Sequence, residues 1–234
     1  MMANTPDLLL ILISANAEWQ AVMELFPAAD CQPGPFGGDW FSHTFHRHDG
    51  TLQPAIFFHG GWGKIAAAAS TEYAIQRWRP ALVINLGTCG GFAGQVERGQ
   101  ILLVEETVVY DIVEQMGDPA EALEYYTTRL NLDWLPRPLP ANVSRARLVS
   151  ADRDILPEDI PHLKERFGAR AADWESGAIA WVTARHGLRC LILRGVTDLV
   201  GPEGGEAYGD LAMFQDQAKK IMRTLVASLE YWIA

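Results

Sequence analysis

The chain has 234 residues, of which 49% are hydrophobic and 21% are charged. Such a composition is typical of one globular domain with a large buried core, and it excludes disorder as the main state. Its length and composition predict a single domain over residues 1–234. The formal net charge of −10 repels a phosphate backbone, so we expect no binding of nucleic acid.

Cysteine usage and hydropathy bear on where the protein works. Cys31, Cys89 and Cys190 are too scattered for a disulfide framework or a CxxC zinc site, so a cytoplasmic location is expected. The most apolar run, 8–15, is far shorter than the roughly 20 residues of a membrane-spanning helix, and Asp7 precedes it instead of a basic segment. The sequence therefore predicts neither membrane contact nor export.

Short aliphatic runs alternate along the chain with longer amphipathic segments, as strands and helices do in an α/β fold. In chain order, the predicted strands are 8–14, 39–46, 52–58, 81–86, 101–109, 147–150, 171–174 and 190–196. The predicted helices are 18–26, 64–78, 158–167, 176–186 and 209–232.

Three connections have a distinct character. The strands 39–46 and 52–58 should form a hairpin around the turn His48-Asp49-Gly50. The glycine-rich segment 87–91 should break the strand before it. Residues 110–142 contain four prolines and predict a long irregular excursion, of the kind that often serves as a lid or an interface.

Four polar or glycine-rich turns directly follow predicted strands. They are 14–18, 87–91, 173–177 and 197–198. Ligands of open α/β sheets bind at the carboxyl ends of the strands, so all four turns should face one pocket. Three of them supply a carboxylate, namely Glu18, Glu175 and Asp198. Such a set suits the cleavage of a sugar bond through a cationic transition state, because one acid protonates the leaving group while another activates water.

Each acid also has a purely structural explanation. Glu18 opens a predicted helix, where a carboxylate interacts favourably with the helix dipole. Asp198 could cap a turn at the end of its strand. Glu175 lies between Trp174 and a helix start of small residues, so it should be half-buried and should need a partner or a function.

Two other patterns suggest cofactors or metals. The segment 61–66 has the G-x-G-x-x-A spacing of a dinucleotide-binding loop, but the acid that would hold the ribose is missing from 83–87. The spacing of His43, His46 and His48 could suit a metal, although alternating exposure along a hairpin explains these histidines more simply. We therefore expect no metal and no cofactor, and a dehydrogenase is disfavoured.

Five segments occur in an order that matches a known family. They are 10–18 (LILISANAE), 60–68 (GGWGKIAAA), 83–91 (VINLGTCGG), 172–180 (ADWESGAIA) and 193–198 (LRGVTD). Together they resemble the purine nucleoside phosphorylase/nucleosidase superfamily, and within it the methylthioadenosine/S-adenosylhomocysteine nucleosidase branch. The resemblance implies a three-layer fold with a central mixed, partly closed sheet flanked by helices. It also implies a nucleoside substrate at the strand ends and a homodimer or larger ring, whose interface could include residues 110–140.

The resemblance also implies roles for the acids. Asp198 matches the acid that protonates or hydrogen-bonds the purine N7, and Glu175 the carboxylate that holds the ribose hydroxyls and stabilises the oxocarbenium-like transition state. Glu18 would activate water, although an ungapped alignment places Trp19 at the position of that catalytic acid. Glu18 is the acid present at this turn, so the role is assigned to it.

The same resemblance implies which residues form the substrate pocket. Thr88, Cys89 and Gly90 would line the ribose and base pocket, and Trp62 and Trp174 would pack near the sugar and base.

One position departs from the pattern of the family. Where purine-specific members carry an aromatic ring that stacks on the base, this chain has Asp154 beside Ile155. A carboxylate cannot stack like a ring. Either the base is held between tryptophans, or the substrate is not an ordinary adenine nucleoside.

Water is the expected nucleophile. The related phosphorylases carry an arginine at the position of Asn85, and no arginine precedes Arg47 to form their early phosphate loop. The expected activity is thus that of a nucleosidase. One alternative is a phosphorylase that uses Arg153 or Arg194 to bind phosphate.

Another alternative comes from a different class of protein. Asp154 and Trp19 depart from the pattern of the active enzymes, which would suit a nucleoside-binding protein without turnover.

Overall fold

A computed structural model of the chain describes residues 7–47 and 49–233. Its strands are β1 (Leu9–Ile13), β2 (Gln32–Pro33), β3 (Asp39–His46), β4 (Leu52–His59), β5 (Leu82–Phe92), β6 (Ile101–Val109), β7 (Thr127–Arg129), β8 (Val143–Ser150), β9 (Ala169–Asp173), β10 (Arg189–Gly201) and β11 (Gly204–Gly205). Its helices are α1 (Asn16–Leu25), α2 (Lys64–Trp78), α3 (Pro119–Tyr125), α4 (Ile160–Phe167), α5 (Ser176–Arg185), α6 (Leu211–Ala227) and α7 (Leu229–Trp232). Short 3-10 turns lie at Pro35–Gly37 and Pro157–Asp159.

Five strands close into a ring. β10 pairs with β5 in parallel and with β6 in antiparallel orientation. β6 continues to β8, β8 to β9, and β9 returns to β5. From β5 the sheet also extends outward through β1, β4, β3 and β2. The expected mixed, partly closed sheet is confirmed.

Next to the ring, β1 is covered on both faces of the sheet, which explains its continuous apolar run. All five residues of β1 are buried. Since successive side chains of a strand point to opposite faces, Leu9, Ile11 and Ile13 pack in the core cluster that contains α1 and α6 residues. Leu10 and Leu12 pack in the cluster on the other face, with residues of α2 and α5. The arrangement is the expected three-layer one.

The prediction that the segment 87–91 breaks its strand is wrong. β5 continues to Phe92 because its backbone is paired on two sides, with Gly90 and Gly91 opposite residues of both β9 and β10. The glycines are needed for close packing rather than for a turn. A Cβ on Gly91 would lie 2.7 Å from Val196 Cγ1 and closer still to Val96 Cγ2.

Other boundaries differ for related reasons. The predicted irregular excursion contains α3, and also β7, which pairs with β6. The strands predicted at 147–150 and 190–196 are longer, because β8 and β10 each have partners along the ring. The predicted closing helix is interrupted at Ser228, between α6 and α7.

The hairpin of β3 and β4 is confirmed, whereas His48 of its predicted turn lies outside the described residues. His43 packs edge-on against Phe26. In the described parts of the chain, no three His, Cys, Asp or Glu side chains are grouped as metal ligands. Within the same ranges, no helix combines the length and apolarity needed to cross a membrane.

Candidate active site

A cavity of about 650 Å³ lies beside the ring, within the size range of small-molecule sites. Its lining residues are Ala15, Glu18, Trp62, Thr88, Cys89, Gly90, Arg153, Asp154, Ile155, Ala172, Asp173, Trp174, Glu175, Thr197, Asp198, Val200, Ala207, Tyr208, Gly209, Leu211 and Phe214. Every site residue assigned from the family resemblance is among them. The structure brings these residues together, and their chemical roles stay predictions.

Glu18 reaches the cavity from the first turn of α1. Its Oε1 accepts hydrogen bonds from the Thr88 backbone N–H at 2.6 Å and from Thr88 Oγ1 at 2.8 Å, and its Oε2 accepts one from the Ala15 backbone N–H at 3.1 Å. The residue is only 4% exposed, and burial raises the pKa of its carboxyl even though these donors and the Arg194 cation favour the charged form. A favourable helix dipole alone does not account for an acid held this way.

Trp19, the neighbouring residue, points away from the cavity. It is buried in the hydrophobic core and stacks on His59, with ring centroids 5.4 Å apart and planes 6° from parallel. The two consecutive residues therefore lie on different sides of α1. At this turn the carboxylate of Glu18 lines the cavity, whereas the indole of Trp19 does not.

Glu175 lies at the start of α5 and is half-buried, as predicted. Its Oε1 accepts a hydrogen bond from the Gly63 backbone N–H at 2.9 Å. Burial raises the pKa of Glu175 to about 8, and the negative charges of Asp173 and Glu18 act in the same direction. This is the one hydrogen bond of the carboxyl within the described residues, so the group has capacity for a ligand.

Asp198 lies inside β10, so the predictions of a turn at 197–198 and of a turn cap are wrong. The pairing of β10 with β5 continues past it, with a bulge between Val196 and Asp198. A bulge adds one residue to β10 without a partner on β5, so the alternation of side chains between the two faces of the strand shifts at this point. Val196 and Leu199 pack in one core cluster, whereas Asp198 and Val200 line the cavity.

The Asp198 carboxyl is buried and accepts a hydrogen bond from Thr197 Oγ1 at 2.7 Å. Burial raises its pKa, with added contributions from the negative charges of Glu206 and Asp154. A buried aspartic acid with a raised pKa is suited to donate a proton.

A buried ionic network lies under the cavity, and its pairing was not predicted, although Arg194 was named as a possible phosphate ligand. Arg194 is 1% exposed and donates from Nε to Asp173 Oδ2 and from Nη2 to Asn85 Oδ1, each at 2.6 Å. Asp173 also accepts from Ser176 Oγ at 2.9 Å. The sequence signal was an arginine inside an apolar strand, because a buried cation requires an acidic partner.

The remaining predicted residues form the walls. The rings of Trp62 and Trp174 lie 5.5 Å apart at 55°, and Trp62 is 60% exposed. Thr88, Cys89 and Gly90 follow one another on β5. Burial, more than the acids nearby, raises the pKa of the Cys89 thiol.

Asp154 and Ile155 come from the loop between β8 and α4. Ile155 covers Gly90, since a Cβ there would lie 2.8 Å from Ile155 Cδ1. The sequence did not single out Tyr208, whose hydroxyl donates to the Ile155 carbonyl at 2.8 Å. Like Leu211 and Phe214, it lies in the segment from β11 to α6, which lacks any motif that would mark it as a wall of the cavity.

The cavity is strongly acidic. Its lining contains Glu18, Asp154, Asp173, Glu175 and Asp198. Among the lining residues the single Lys or Arg is Arg153, whose guanidinium pairs with Asp159 and donates to the Tyr110 hydroxyl. Such a site favours a neutral or cationic ligand over an anion.

Comparison with known proteins gives consistent results. A family model described as "Phosphorylase superfamily" matches residues 19–230. A 5'-methylthioadenosine/S-adenosylhomocysteine nucleosidase from Geobacillus kaustophilus is 27% identical over 217 residues, which cover 85% of this chain and 87% of the relative. The corresponding enzyme from Oceanobacillus iheyensis is 25% identical over 179 residues, or 72% of this chain and 77% of the relative.

Two solved structures extend the comparison to the fold. A Helicobacter pylori 5'-methylthioadenosine/S-adenosylhomocysteine nucleosidase in complex with butyl-thio-DADMe-Immucillin-A superposes with a TM-score of 0.77. That pair is 16% identical and covers 97% of this chain and 99% of the other. Futalosine hydrolase from the same species gives a TM-score of 0.72 at 16% identity, with the same coverage. At these identities the shared property is the fold.

Proposed function

Because this chain belongs to the phosphorylase superfamily, we propose that it is a nucleosidase that hydrolyses the N-glycosidic bond of a purine or 5'-modified nucleoside. The observation that carries the proposal is the convergence of Glu18, Glu175 and Asp198 on one cavity. The two curated relatives, of which this chain covers 77% and 87%, are nucleosidases, which supports hydrolysis.

In the proposed reaction each of the three acids has a different role. The bond between the anomeric carbon and the base nitrogen breaks, and its electron pair leaves with the base. Asp198 donates its proton to N7 of the departing purine, while the oxygen of a water molecule bonds to the anomeric carbon. Glu18 accepts the proton of that water. Proton transfer and electrostatic stabilisation suffice for this step.

Glu175 has a binding role in this proposal. Burial raises its pKa to about 8, and the positive charge that develops on the ribose favours its deprotonated form. That carboxylate accepts hydrogen bonds from the ribose hydroxyls and stabilises the oxocarbenium-like transition state. Its Oε1 is held by the Gly63 N–H at 2.9 Å, which fixes the orientation of the group. Oε2 accepts no hydrogen bond from the described residues, so it is available to the ribose hydroxyls.

The electrostatics of the cavity support water over phosphate as the nucleophile. Phosphate would need cations, but Arg194 is engaged with Asp173 and Asn85 beneath the cavity, and Arg153 is held by Asp159. Glu18 and Asp154 add negative charge to a lining whose cation is already paired, so entry of an anion is unfavourable. The phosphorylase alternative has no free cation in the described lining.

The experiment measures base release from purine and pyrimidine nucleosides, including 5'-thio derivatives, with and without phosphate. Release should be independent of phosphate, and Asp198→Asn should lower kcat by about 10²- to 10⁴-fold, the usual contribution of a general acid. Release that requires phosphate would identify a phosphorylase. Binding without any release would favour the nucleoside-binding protein.

The assembly and location are part of the same proposal. We propose a homodimer or larger homo-oligomer that acts in the cytoplasm. In the segment 110–118 between β6 and α3, Val113 is 76% exposed and Met116 is 98% exposed. Ile65 is also exposed, and its neighbour Lys64 forms an ion pair with Asp111 of this segment. Exposed apolar side chains near one another are typical of an interface.

A further inference from the structure

Asp154 has a position in the cavity that the proposed reaction does not use. Its side chain is exposed at the cavity wall and has no hydrogen-bond partner among the described residues. The neighbouring Ile155 is anchored on both sides, by its side chain over Gly90 and by its carbonyl, which accepts a hydrogen bond from the Tyr208 hydroxyl. The loop that carries Asp154 is therefore held in place.

Within the described lining of the cavity, no unpaired Lys or Arg compensates the charge of Asp154. Asp154 lines the same cavity as Asp198 and Tyr208, and the Tyr208 hydroxyl donates to the carbonyl of Ile155, the residue after Asp154. Tyr208 and Asp154 therefore lie at the same end of the cavity. The adjacent Arg153 is paired with Asp159. A base bound at this end would displace water from the Asp154 carboxylate, and such desolvation is costly unless the base donates hydrogen bonds in return.

Building on the proposed nucleosidase function, we propose that Asp154 determines base specificity and that the preferred substrates are nucleosides of a 2-amino-6-oxopurine. The N1–H and 2-amino groups of such a base are two adjacent donors, and a carboxylate accepts two parallel hydrogen bonds. Adenine presents an acceptor at N1, which faces a carboxylate unfavourably. Hypoxanthine offers the N1–H donor without the 2-amino group.

The expected preference follows from the pairing of donors with acceptors. Sites built around hydrogen bonds reject analogues that leave a buried polar group unpaired. We expect kcat/KM for guanosine to exceed that for adenosine by roughly 10- to 100-fold, the usual discrimination of a good bidentate pair. Inosine should lie between them, and matched 5'-methylthio derivatives should follow the same order.

The test compares the wild type with Asp154→Asn and with Glu158→Gln. In Asp154→Asn one acceptor oxygen becomes an amide donor, so guanosine cleavage should fall by about 10- to 100-fold. Inosine, which can pair its N1–H and O6 with an amide, should become the better substrate of that variant. Glu158 is an exposed acid of the following 3-10 turn and does not line the cavity, so its variant should retain the wild-type preference.

The outcomes separate this inference from the proposed function. Nucleoside hydrolysis with equal rates for the bases, with adenosine preferred, or with an unchanged preference in Asp154→Asn would overturn the inference and leave the function standing. If no nucleoside is cleaved, the proposed nucleosidase function is wrong. The role of Asp154 in base specificity is then tested by calorimetry, which measures the affinities for guanosine and adenosine. Tighter guanosine binding that Asp154→Asn abolishes would support it, and equal binding would overturn it.

Discussion

Two consecutive residues of α1 have opposite environments, and this difference decides which of them can take part in chemistry. Glu18 accepts three hydrogen bonds at the cavity, whereas Trp19 is packed against Phe41 and His59 in the core. The ungapped comparison of sequences could not resolve this, because a shift of one residue on a helix turns a side chain by about 100°. The direction of each side chain required the fold.

Substitutions at these two positions should therefore affect different properties. Glu18→Gln removes the proposed proton acceptor and should lower kcat for base release by about 10²- to 10⁴-fold, with little change in thermal stability. Trp19→Phe should leave kcat near the wild-type value and lower the melting temperature. Steady-state kinetics and thermal unfolding of both variants check this, and a large loss of kcat in Trp19→Phe alone would contradict it.

The raised pKa of Glu175 predicts a pH dependence of stability. Its carboxyl keeps a proton in the folded protein up to about pH 8, but loses it near its ordinary value of 4.5 when the chain unfolds. The folded state thus binds more protons between these values, so the free energy of unfolding falls as the pH rises through this window.

Glu175→Gln should remove that contribution. The melting temperature of the wild type, relative to the variant, should decrease from about pH 5 to about pH 8. The measurement is thermal unfolding across this range, with Glu121→Gln as a control for an exposed acid on α3. Parallel curves for the wild type and Glu175→Gln would show that burial of this carboxyl has no such effect.

At the scale of elements, β5 shows what local sequence patterns miss. The apolar run 81–86 predicts its first half, but its second half contains three glycines, and their local preference predicts a turn. Glycine disfavours a strand locally, whereas pairing on two sides and tight packing against Val96 and Val196 favour it in the fold. Long-range pairing therefore determined the boundary.

Gly91→Ala tests that packing. The added methyl group would overlap Val96 and Val196, so we expect a loss of about 1–3 kcal/mol in the free energy of unfolding. Gly117→Ala is the matched control, because the nearest atoms to its Cβ would be 3.7 Å away, on Glu114. Urea unfolding measures both, and equal stabilities of the two variants would be inconsistent with the close packing.

At the scale of the whole molecule, the sequence predicted the three layers of the fold and the convergence of three acids on one cavity. It did not predict the buried ion pair under the cavity or the wall formed by the segment after β11. Glu18, Glu175 and Asp198 were found because each follows an apolar run, which is a local signal. The Arg194–Asp173 pair and the wall around Tyr208 depend on contacts between distant segments. The single domain over residues 1–234 stays a prediction.

The proposed self-association belongs to this scale. If the exposed segment after β6 forms the interface, Met116→Lys should produce monomers at micromolar concentration, because a buried charge weakens an apolar contact. Light scattering coupled to size exclusion should report a dimer or larger species for the wild type. A Leu52→Lys control on β4, outside residues 110–140 but also exposed, should keep the wild-type mass, and a monomeric wild type would refute the proposal.

The ring of strands also constrains the order in which the protein can fold during synthesis. β5 and β6 emerge early, but both must wait for β10 to join them. Such non-local pairing slows folding, because a long loop must close before its contacts form. Glu18 leaves the ribosome long before Asp198, so a nascent chain holds the proposed proton acceptor without the proton donor. The complete set of acids can therefore form only after β10 has been synthesised and has joined the ring.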